Sequence, residues 1–280
     1  MAPHAVIDLF TDEAIEDPVF DAVHLLETRS HRPKIEALRR ARFDRAVCLD
    51  NDIIAVADPS DMFDLLDRFE VIGVHDNNRN SRNARRLAGG PIPASFPSIN
   101  SGVLGVRKSA RTQALLRAWE TRMAAHGHRV DQPALRAVLW EGDVRLGVLP
   151  IEYNLMVHDQ LWTMTHNQAA PRLLHVRELT ALGRPEGDPL APYELSETFS
   201  SAWRTRLHWL LAGDASLSEK GAEVAAAARA FPTWRVKLRS RVFGLARHGP
   251  RFFIERARRA RASAREDARK EDARKEDGRR

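Results

Sequence analysis

The chain has a single cysteine among its 280 residues, Cys48. One cysteine excludes an intramolecular disulfide and a zinc site built from several thiolates. It lies within a short apolar run, which is typical of a small buried side chain. The chain also lacks a run of about 18 apolar residues, so no membrane-spanning helix is expected. A basic segment followed by an apolar one is absent from the first residues, so no signal peptide is expected either. These absences predict a cytoplasmic protein.

The basic charge of the chain is concentrated in one late segment. The formal net charge is +6, but residues 234–261 hold ten Lys or Arg and only one acidic residue. The body of the chain is therefore mildly acidic, which argues against nucleic acid as a partner. In 234–261 the basic residues alternate with Trp, Val, Leu and Phe, and this pattern allows a peripheral contact with an anionic membrane. The alternative is a helix whose apolar face packs on the body.

Hydrophobic periodicity predicts alternating strands and helices over the first 180 residues. Strands are predicted at residues 6–10, 19–26, 46–49, 71–74, 99–106 and 144–149. Helices are predicted at residues 33–42, 59–69, 110–125 and 133–140. The strand at 99–106 is expected to be broken by Asn100-Ser101-Gly102. This alternation predicts an α/β domain with a sheet flanked by helices.

The composition divides the chain into one domain and three later segments. The α/β domain is predicted to occupy residues 1–180, and a helical extension at 181–233 is predicted to pack on it. The basic amphipathic segment follows at 234–261. Residues 262–280 repeat units of Ala, Arg, Lys, Glu and Asp without an apolar stripe. Such a tail has nothing to pack, so it is predicted to be disordered or a solvated helix.

Two acidic residues, Asp50 and Asp52, come directly after the buried strand at 46–49. In an open α/β sheet, ligands bind outside the carboxyl ends of the strands. Side chains at i and i+2 of an extended segment point the same way, so both carboxylates can face one cation. Paired carboxylates suit Mg²⁺ or Mn²⁺, and such a cation can hold a diphosphate. The alternative is a polar strand end, because Asp is common in turns.

Two families have a strand that ends in Asp-x-Asp: the haloacid-dehalogenase-like phosphatases and the glycosyltransferases of the GT-A fold. The phosphatase motif runs Asp-x-Asp-x-Thr/Val, but Ile54 occupies the last of these positions here. Further motifs of this chain follow in a fixed order. They are Arg32-Pro33-Lys34-Ile35, Leu49-Asp50-Asn51-Asp52-Ile53, Phe63-Asp64-Leu65-Leu66, His75-Asp76, Asn100-Ser101-Gly102-Val103, Trp119, Asp131-Gln132-Pro133-Ala134-Leu135 and Leu149-Pro150 with Tyr153-Asn154. Over roughly residues 5–180 this series resembles the nucleotide-diphospho-sugar transferases, GT-A relatives of the glycogenin-like enzymes.

The resemblance implies a role for each matching residue. Asp50 and Asp52 would bind the metal, Asp50 would also reach the ribose, and His175 would be a late histidine ligand. Imidazole suits Mn²⁺ better than Mg²⁺. The alternative for His175 is a surface or core histidine.

The resemblance also implies the residues of the substrate pocket. Lys34 would lie near the diphosphate or the donor sugar, and Asp76 near the acceptor. Three consecutive residues would line the donor-sugar pocket: Asn100, Ser101 and Gly102. Asp131 and Gln132 would occupy the catalytic positions and contact sugar hydroxyls. The structural alternatives are an exposed lysine, a turn at Asp76 and a helix N-cap at Asp131.

The resemblance thus implies a metal-assisted glycosyltransferase of hexosyltransferase type. Such an enzyme would move a sugar from a UDP- or GDP-sugar to an unidentified glycan, lipid-linked or protein acceptor. The GT-A-like fold is expected to lack its first strand and helix here, which would bind the nucleotide base. An inactive or truncated transferase that acts as a binding or membrane-surface protein is therefore the alternative. The predicted location is the cytoplasm, with peripheral contact at the inner membrane face through 234–261.

Overall fold

The computed structural model describes residues 6–27, 32–78, 80–81, 91–126, 130–165, 167–180 and 194–217. The basic segment at 234–261 and the charged repeat at 262–280 lie outside the described residues. Within the described ranges, none of the helices combines the length and the apolar character needed to cross a membrane. The predicted domain boundaries stay a prediction.

The described chain contains eight strands and five α-helices. The strands are β1 Asp8–Thr11, β2 Ala22–Leu25, β3 Arg45–Leu49, β4 Ile53–Ala55, β5 Val71–His75, β6 Ile99–Arg107, β7 Leu146–Leu149 and β8 Leu173–His175. The helices are α1 Pro33–Arg40, α2 Met62–Leu66, α3 Ala110–His126, α4 Gln132–Glu141 and α5 Ser201–Gly213. Short 3-10 helices cover Ile151–Tyr153, His158–Trp162 and Arg177–Thr180.

The central sheet has four strands in the order β3-β6-β5-β7. β6 is antiparallel to both of its neighbours, whereas β5 and β7 are parallel. Two further pairs are separate from this sheet: β1 with β2 in parallel, and β4 with β8 antiparallel. The predicted α/β fold with a mixed sheet and flanking helices is confirmed.

The prediction that Asn100-Ser101-Gly102 breaks the strand is wrong. β6 runs without interruption for nine residues, and the irregularity lies in its partner β5, where the register shifts between Gly73 and His75. Asn100 and Ser101 do not end the strand because their side chains find hydrogen-bond partners inside the fold. A buried polar side chain that is satisfied in this way can lie within a strand.

Three short elements differ from the sequence-based expectation. The helix predicted at 59–69 forms only over Met62–Leu66, because residues 60–61 form a turn before it. The pair β4 and β8 was not predicted, since strands of three residues are too short to show a period of two.

Helices cover both faces of the central sheet. Helices α1, α3 and α4 cover one face, with Ile35, Leu116, Trp119 and Leu135 among the buried residues. On the opposite face α2 contributes Met62 and Leu66, which pack with Ile72 and Val103. Successive strand residues alternate between the two clusters, as the pleat requires.

A third cluster contains α5, the one described helix of the late part of the chain. Its apolar face, with Trp203, Leu207 and Leu210, packs against Leu155 and Leu174. The helix begins at the N-cap Ser200, whose hydroxyl accepts a hydrogen bond from the backbone N of Trp203. α5 therefore shares an apolar cluster with Leu174 of β8.

Candidate active site

The end of β3 and the late strand β8 form the centre of the candidate site. The backbone N of Asp50 donates to the carbonyl oxygen of Gly102 (2.9 Å), which ties the strand end to β6. The backbone N of Ile53 then donates to the oxygen of Asp50 (3.1 Å), so the acidic pair lies in a tight turn. The expectation of an extended segment is wrong at this point: the turn, rather than strand alternation, directs the two carboxylates.

This turn leads into β4, which pairs with β8 so that Ile53 lies opposite His175. The backbone N of Val176 also donates to the carbonyl oxygen of Asp52 (2.8 Å). Asp50, Asp52 and His175 consequently offer one ligand atom each, and these atoms lie within 4.8 Å of one another. The structure therefore brings the three predicted metal ligands together.

The surroundings of Asp52 fit a divalent cation. Its side chain is buried, and Oδ1 lies 3.3 Å from Nε2 of His175 but has no hydrogen-bond partner. Neighbouring ligands of an octahedral cation lie about 3 Å apart when each metal–ligand distance is about 2.1 Å. Two carboxylates and an imidazole are also a common donor set for such ions. A buried oxygen without a donor, next to a ring nitrogen, is the observation that supports a cation here.

The charge of Asp52 follows from its neighbours. Burial raises the pKa of this carboxyl group, but His175, the backbone and the charge of Lys34 lower it by more. The effect of His175 applies when its ring is protonated. The net effect holds the pKa of Asp52 below its ordinary value, and an ionised carboxylate is the form that binds a metal.

Lys34 is buried within an acidic cluster, so the alternative of an exposed helix lysine is wrong. Its Nζ lies 2.5 Å from Oδ1 of Asp50 and 3.7 Å from Oδ2 of Asp131. The same Nζ donates to the carbonyl oxygen (3.2 Å) and Oγ (3.3 Å) of Ser101. Pro33 starts α1 and positions Lys34 in its first turn. The cluster places one ammonium group between the candidate metal ligands and the start of α4.

Asp131 directly precedes α4, yet its side chain makes no capping hydrogen bond. Its Oδ2 instead accepts a hydrogen bond from Oγ of Ser101 (2.8 Å) and lies 3.7 Å from Nε of Arg32. The N-cap explanation is therefore wrong for this side chain, which faces the site. Gln132, the first residue of α4, is half-buried.

The last predicted residues lie behind His175. Asp76 forms both a turn and a site contact: Oδ1 accepts from the backbone N of Asn78 (2.7 Å) and Oδ2 accepts from Nδ2 of Asn100 (3.4 Å). Gly102 lies against the imidazole of His175.

Asn154 also belongs to the site, although the sequence indicated it only as part of a motif. Asn154 is fully buried; its Nδ2 donates to Oδ1 of Asn100 (2.9 Å), and its Oδ1 lies 3.1 Å from Nδ1 of His175. The signal for it was the Leu149-Pro150 and Tyr153-Asn154 pattern that follows β7.

The fold and the site define an α/β protein with a candidate metal centre at the edge of a mixed sheet. Residues 45–180 match the model of the family described as nucleotide-diphospho-sugar transferase. The family resemblance is therefore confirmed over this segment, which starts later than the predicted residue 5.

The solved structures that resemble the chain are distant. The galactosyltransferase LgtC, in complex with donor and acceptor sugar analogues, is 13% identical, with a TM-score of 0.44 over 68% of this chain and 81% of its own. Mouse xyloside xylosyltransferase 1 is 18% identical, with a TM-score of 0.39 over 56% and 64%. GlyE of Streptococcus pneumoniae is 15% identical, with a TM-score of 0.39 over 66% and 48%. No curated protein matches the chain.

Proposed function

We propose that this protein is a glycosyltransferase that moves a sugar from a nucleoside diphosphate sugar to an acceptor. The observation that carries the proposal is the convergence of Asp50, Asp52 and His175 in the segment that matches the family, with Lys34 beside them. A site of two carboxylates, an imidazole and an ammonium group suits a metal-bound diphosphate. The donor class, UDP- or GDP-sugar, and a hexosyl group follow from the resemblance alone.

The cation would be held by Asp50, Asp52 and His175. When bound, it supplies positive charge that offsets the charge of the departing nucleoside diphosphate. The imidazole favours Mn²⁺ over Mg²⁺, because nitrogen ligands suit the softer ion.

The side chains around the cation site would hold the donor. Lys34 lies close enough to the cluster to pair with a diphosphate oxygen as well as with Asp50. Asp131 and Gln132 stand at the start of α4, where they would accept and donate hydrogen bonds to sugar hydroxyls. Asn100, Ser101 and Gly102 would form the wall of the sugar pocket along β6. Catalysis by such a site consists mainly of positioning and electrostatic stabilisation.

Asp76 would contact the acceptor, whose chemistry the proposal leaves as a glycan, a lipid-linked sugar or a protein. The proposal retains a cytoplasmic location and a peripheral contact at the inner membrane face through residues 234–261. Co-sedimentation of the full chain with neutral and anionic liposomes tests this contact. Binding that does not depend on anionic lipid would remove the membrane proposal.

Calorimetric titration of UDP and GDP, with and without Mn²⁺, tests the proposed function. The wild-type protein should bind one of the nucleotides only when Mn²⁺ is present, and Asp52→Asn should lose this binding. Asp64→Asn is the matched control, because Asp64 is an exposed acid on α2 and its replacement removes the same charge. Thermal melting of each variant shows that it is folded.

Each outcome separates the alternatives. Equal binding by the wild type and Asp52→Asn would exclude the proposed metal centre. Metal-dependent binding without hydrolysis or transfer from any sugar nucleotide would favour the non-catalytic alternative. Turnover of a generic aryl phosphate would favour a phosphatase, which a transferase should not show.

A further inference from the structure

Four polar side chains form a continuous line behind the candidate metal centre. The line runs from Asp76 through Asn100 and Asn154 to His175, and we name it the polar relay. All four side chains are buried, and Asn154 is fully so. Each step is a hydrogen-bond contact, so the orientation of one side chain constrains the next.

The orientation of Asn100 is fixed from two directions. The backbone N–H of Gly102 can only donate, and it points at Oδ1 of Asn100 (2.9 Å). The carboxylate of Asp76 can only accept when ionised, and its Oδ2 lies 3.4 Å from Nδ2 of Asn100. Exchanging the amide oxygen and nitrogen would set two donors against each other and two acceptors against each other. Asn100 therefore presents its oxygen towards Asn154.

The orientation of Asn100 determines the orientation of Asn154. Since Oδ1 of Asn100 accepts, Asn154 must direct its Nδ2 towards that oxygen (2.9 Å). Its own Oδ1 then faces Nδ1 of His175 at 3.1 Å. An amide oxygen has no hydrogen to donate, so Nδ1 of the ring must carry the proton.

We propose that Asn154 is a positioning residue that holds His175 in the Nδ1–H tautomer and so presents the Nε2 lone pair to a divalent cation. The cation part rests on the proposed function, whereas the tautomer follows from the relay alone. The surroundings of Nε2 agree, because the nearby Oδ1 of Asp52 accepts no hydrogen bond. In the neutral ring the lone pair of Nε2 faces this oxygen across 3.3 Å, a pair of atoms that a divalent cation could bind together. A second-shell partner of a metal-binding histidine sets its tautomer in this way.

Nitrogen-15 NMR of the metal-free protein at about pH 8, where free imidazole is neutral, tests the tautomer directly. The wild type should show His175 protonated at Nδ1. Asn154→Ala removes the acceptor and should shift the ring towards the Nε2–H form. Asn154→Asp keeps an acceptor at this position and should retain Nδ1–H. A wild-type ring in the Nε2–H form would overturn the proposal without any variant, so a poorly folded Asn154→Ala does not prevent the test.

Binding of Mn²⁺ alone, measured from the electron paramagnetic resonance signal of the free ion, tests the second part. Asn154→Ala should weaken binding about 10- to 100-fold. Asn167→Ala, the same change in an exposed turn, should bind as the wild type does. Equal affinity of wild type and Asn154→Ala, or an unchanged tautomer, would overturn the positioning role. A wild type that has the Nδ1–H ring but binds no Mn²⁺ would instead overturn the metal centre of the proposed function, together with the cation part of this inference.

Discussion

Gly102 leaves the space that the imidazole of His175 occupies. A β-carbon at residue 102 would lie 2.6 Å from Cε1 and 2.8 Å from Nδ1 of that ring, and 2.9 Å from Oδ1 of Asn100. Contacts this short force a neighbour to move. β6 thus needs glycine here so that the late histidine can reach the acids that follow β3.

Gly102→Ala should displace His175 and weaken the binding of Mn²⁺ at least about tenfold, since a misplaced ligand loses much of its affinity. The overpacking should also lower the free energy of unfolding by about 1–3 kcal/mol. Calorimetry gives the affinity and denaturant titration gives the stability. Gly105→Ala is the matched control on the same strand, because its β-carbon would meet Ile72 in the core. It should lose stability but keep its affinity for Mn²⁺; an equal loss in both variants would contradict the role of Gly102.

Replacing Lys34 should change the affinities for a free cation and for a nucleotide in opposite directions. Its ammonium group lies 2.5 Å from Asp50 and repels a cation, yet it would attract a diphosphate. Lys34→Met should therefore bind Mn²⁺ alone several-fold more tightly and bind UDP with Mn²⁺ about tenfold more weakly. Titration calorimetry measures both. The control is Lys108→Met, which removes an ammonium group that donates to the carbonyl oxygen of Ala41 (3.0 Å). It should leave both affinities unchanged. A parallel change in the two affinities would contradict the placement of Lys34.

Asp214 should contribute to stability at neutral pH and lose this contribution in acid. Burial raises the pKa of this group, but hydrogen bonds from Ser216, the backbone N of Ala170 and Arg172 outweigh burial and lower it to about 2. A carboxyl group whose pKa is lower in the folded than in the unfolded protein stabilises the fold at pH values above the unfolded-state pKa. This stabilisation disappears as the pH falls from about 4 to about 2. The shift of the pKa corresponds to about 2 kcal/mol in the free energy of unfolding.

Urea unfolding as a function of pH measures this contribution. Asp214→Asn should be less stable than the wild type by about 2 kcal/mol or more at pH 7. The difference should shrink as the pH approaches about 2. The exposed Asp159→Asn should follow the wild-type curve. A difference that stays constant across this pH range would show that Asp214 does not act through its charge.

Trp119 links the core to the start of α4, and its replacement should lower stability. The ring is fully buried, and Nε1 donates to the carbonyl oxygen of Asp131 (3.2 Å). Trp119→Phe removes this bond and part of the ring volume, so the free energy of unfolding should fall by about 1–4 kcal/mol. Denaturant titration measures the loss. Trp140→Phe, which changes an exposed ring, should have little effect; equal losses would contradict the anchoring role.

The sequence predicted a secondary-structure element correctly where the residues of that element alone determine its conformation. The apolar run at 46–49 predicted β3, and the Pro33 start predicted α1. β6 was misjudged because polar residues in a strand look like a break until their distant partners are known. Asn100 and Ser101 are stabilised there by Asp76 and Asp131, which no local pattern connects to them.

In the candidate site, too, some residues could be predicted from the local sequence and others depend on distant contacts. Asp50 and Asp52 were predicted from their spacing, although a turn rather than an extended strand directs them. His175 required the family resemblance, because nothing local distinguishes it from a core histidine. Asn154 was missed as a site residue, since its role depends on a chain of amide orientations that only the three-dimensional structure defines.

The candidate metal ligands come together only when β4 pairs with β8, so the site forms only in the folded protein. Asp52 and His175 come from the early and late parts of the matched segment, and the bond from Val176 to Asp52 joins them. An unfolded chain holds these ligands far apart, so a cation would bind the folded form selectively. Cation binding would then be thermodynamically linked to unfolding, and the melting temperature would rise with the free cation concentration. In this sense the metal centre would close a long-range loop that a chain with a single cysteine cannot close with a disulfide.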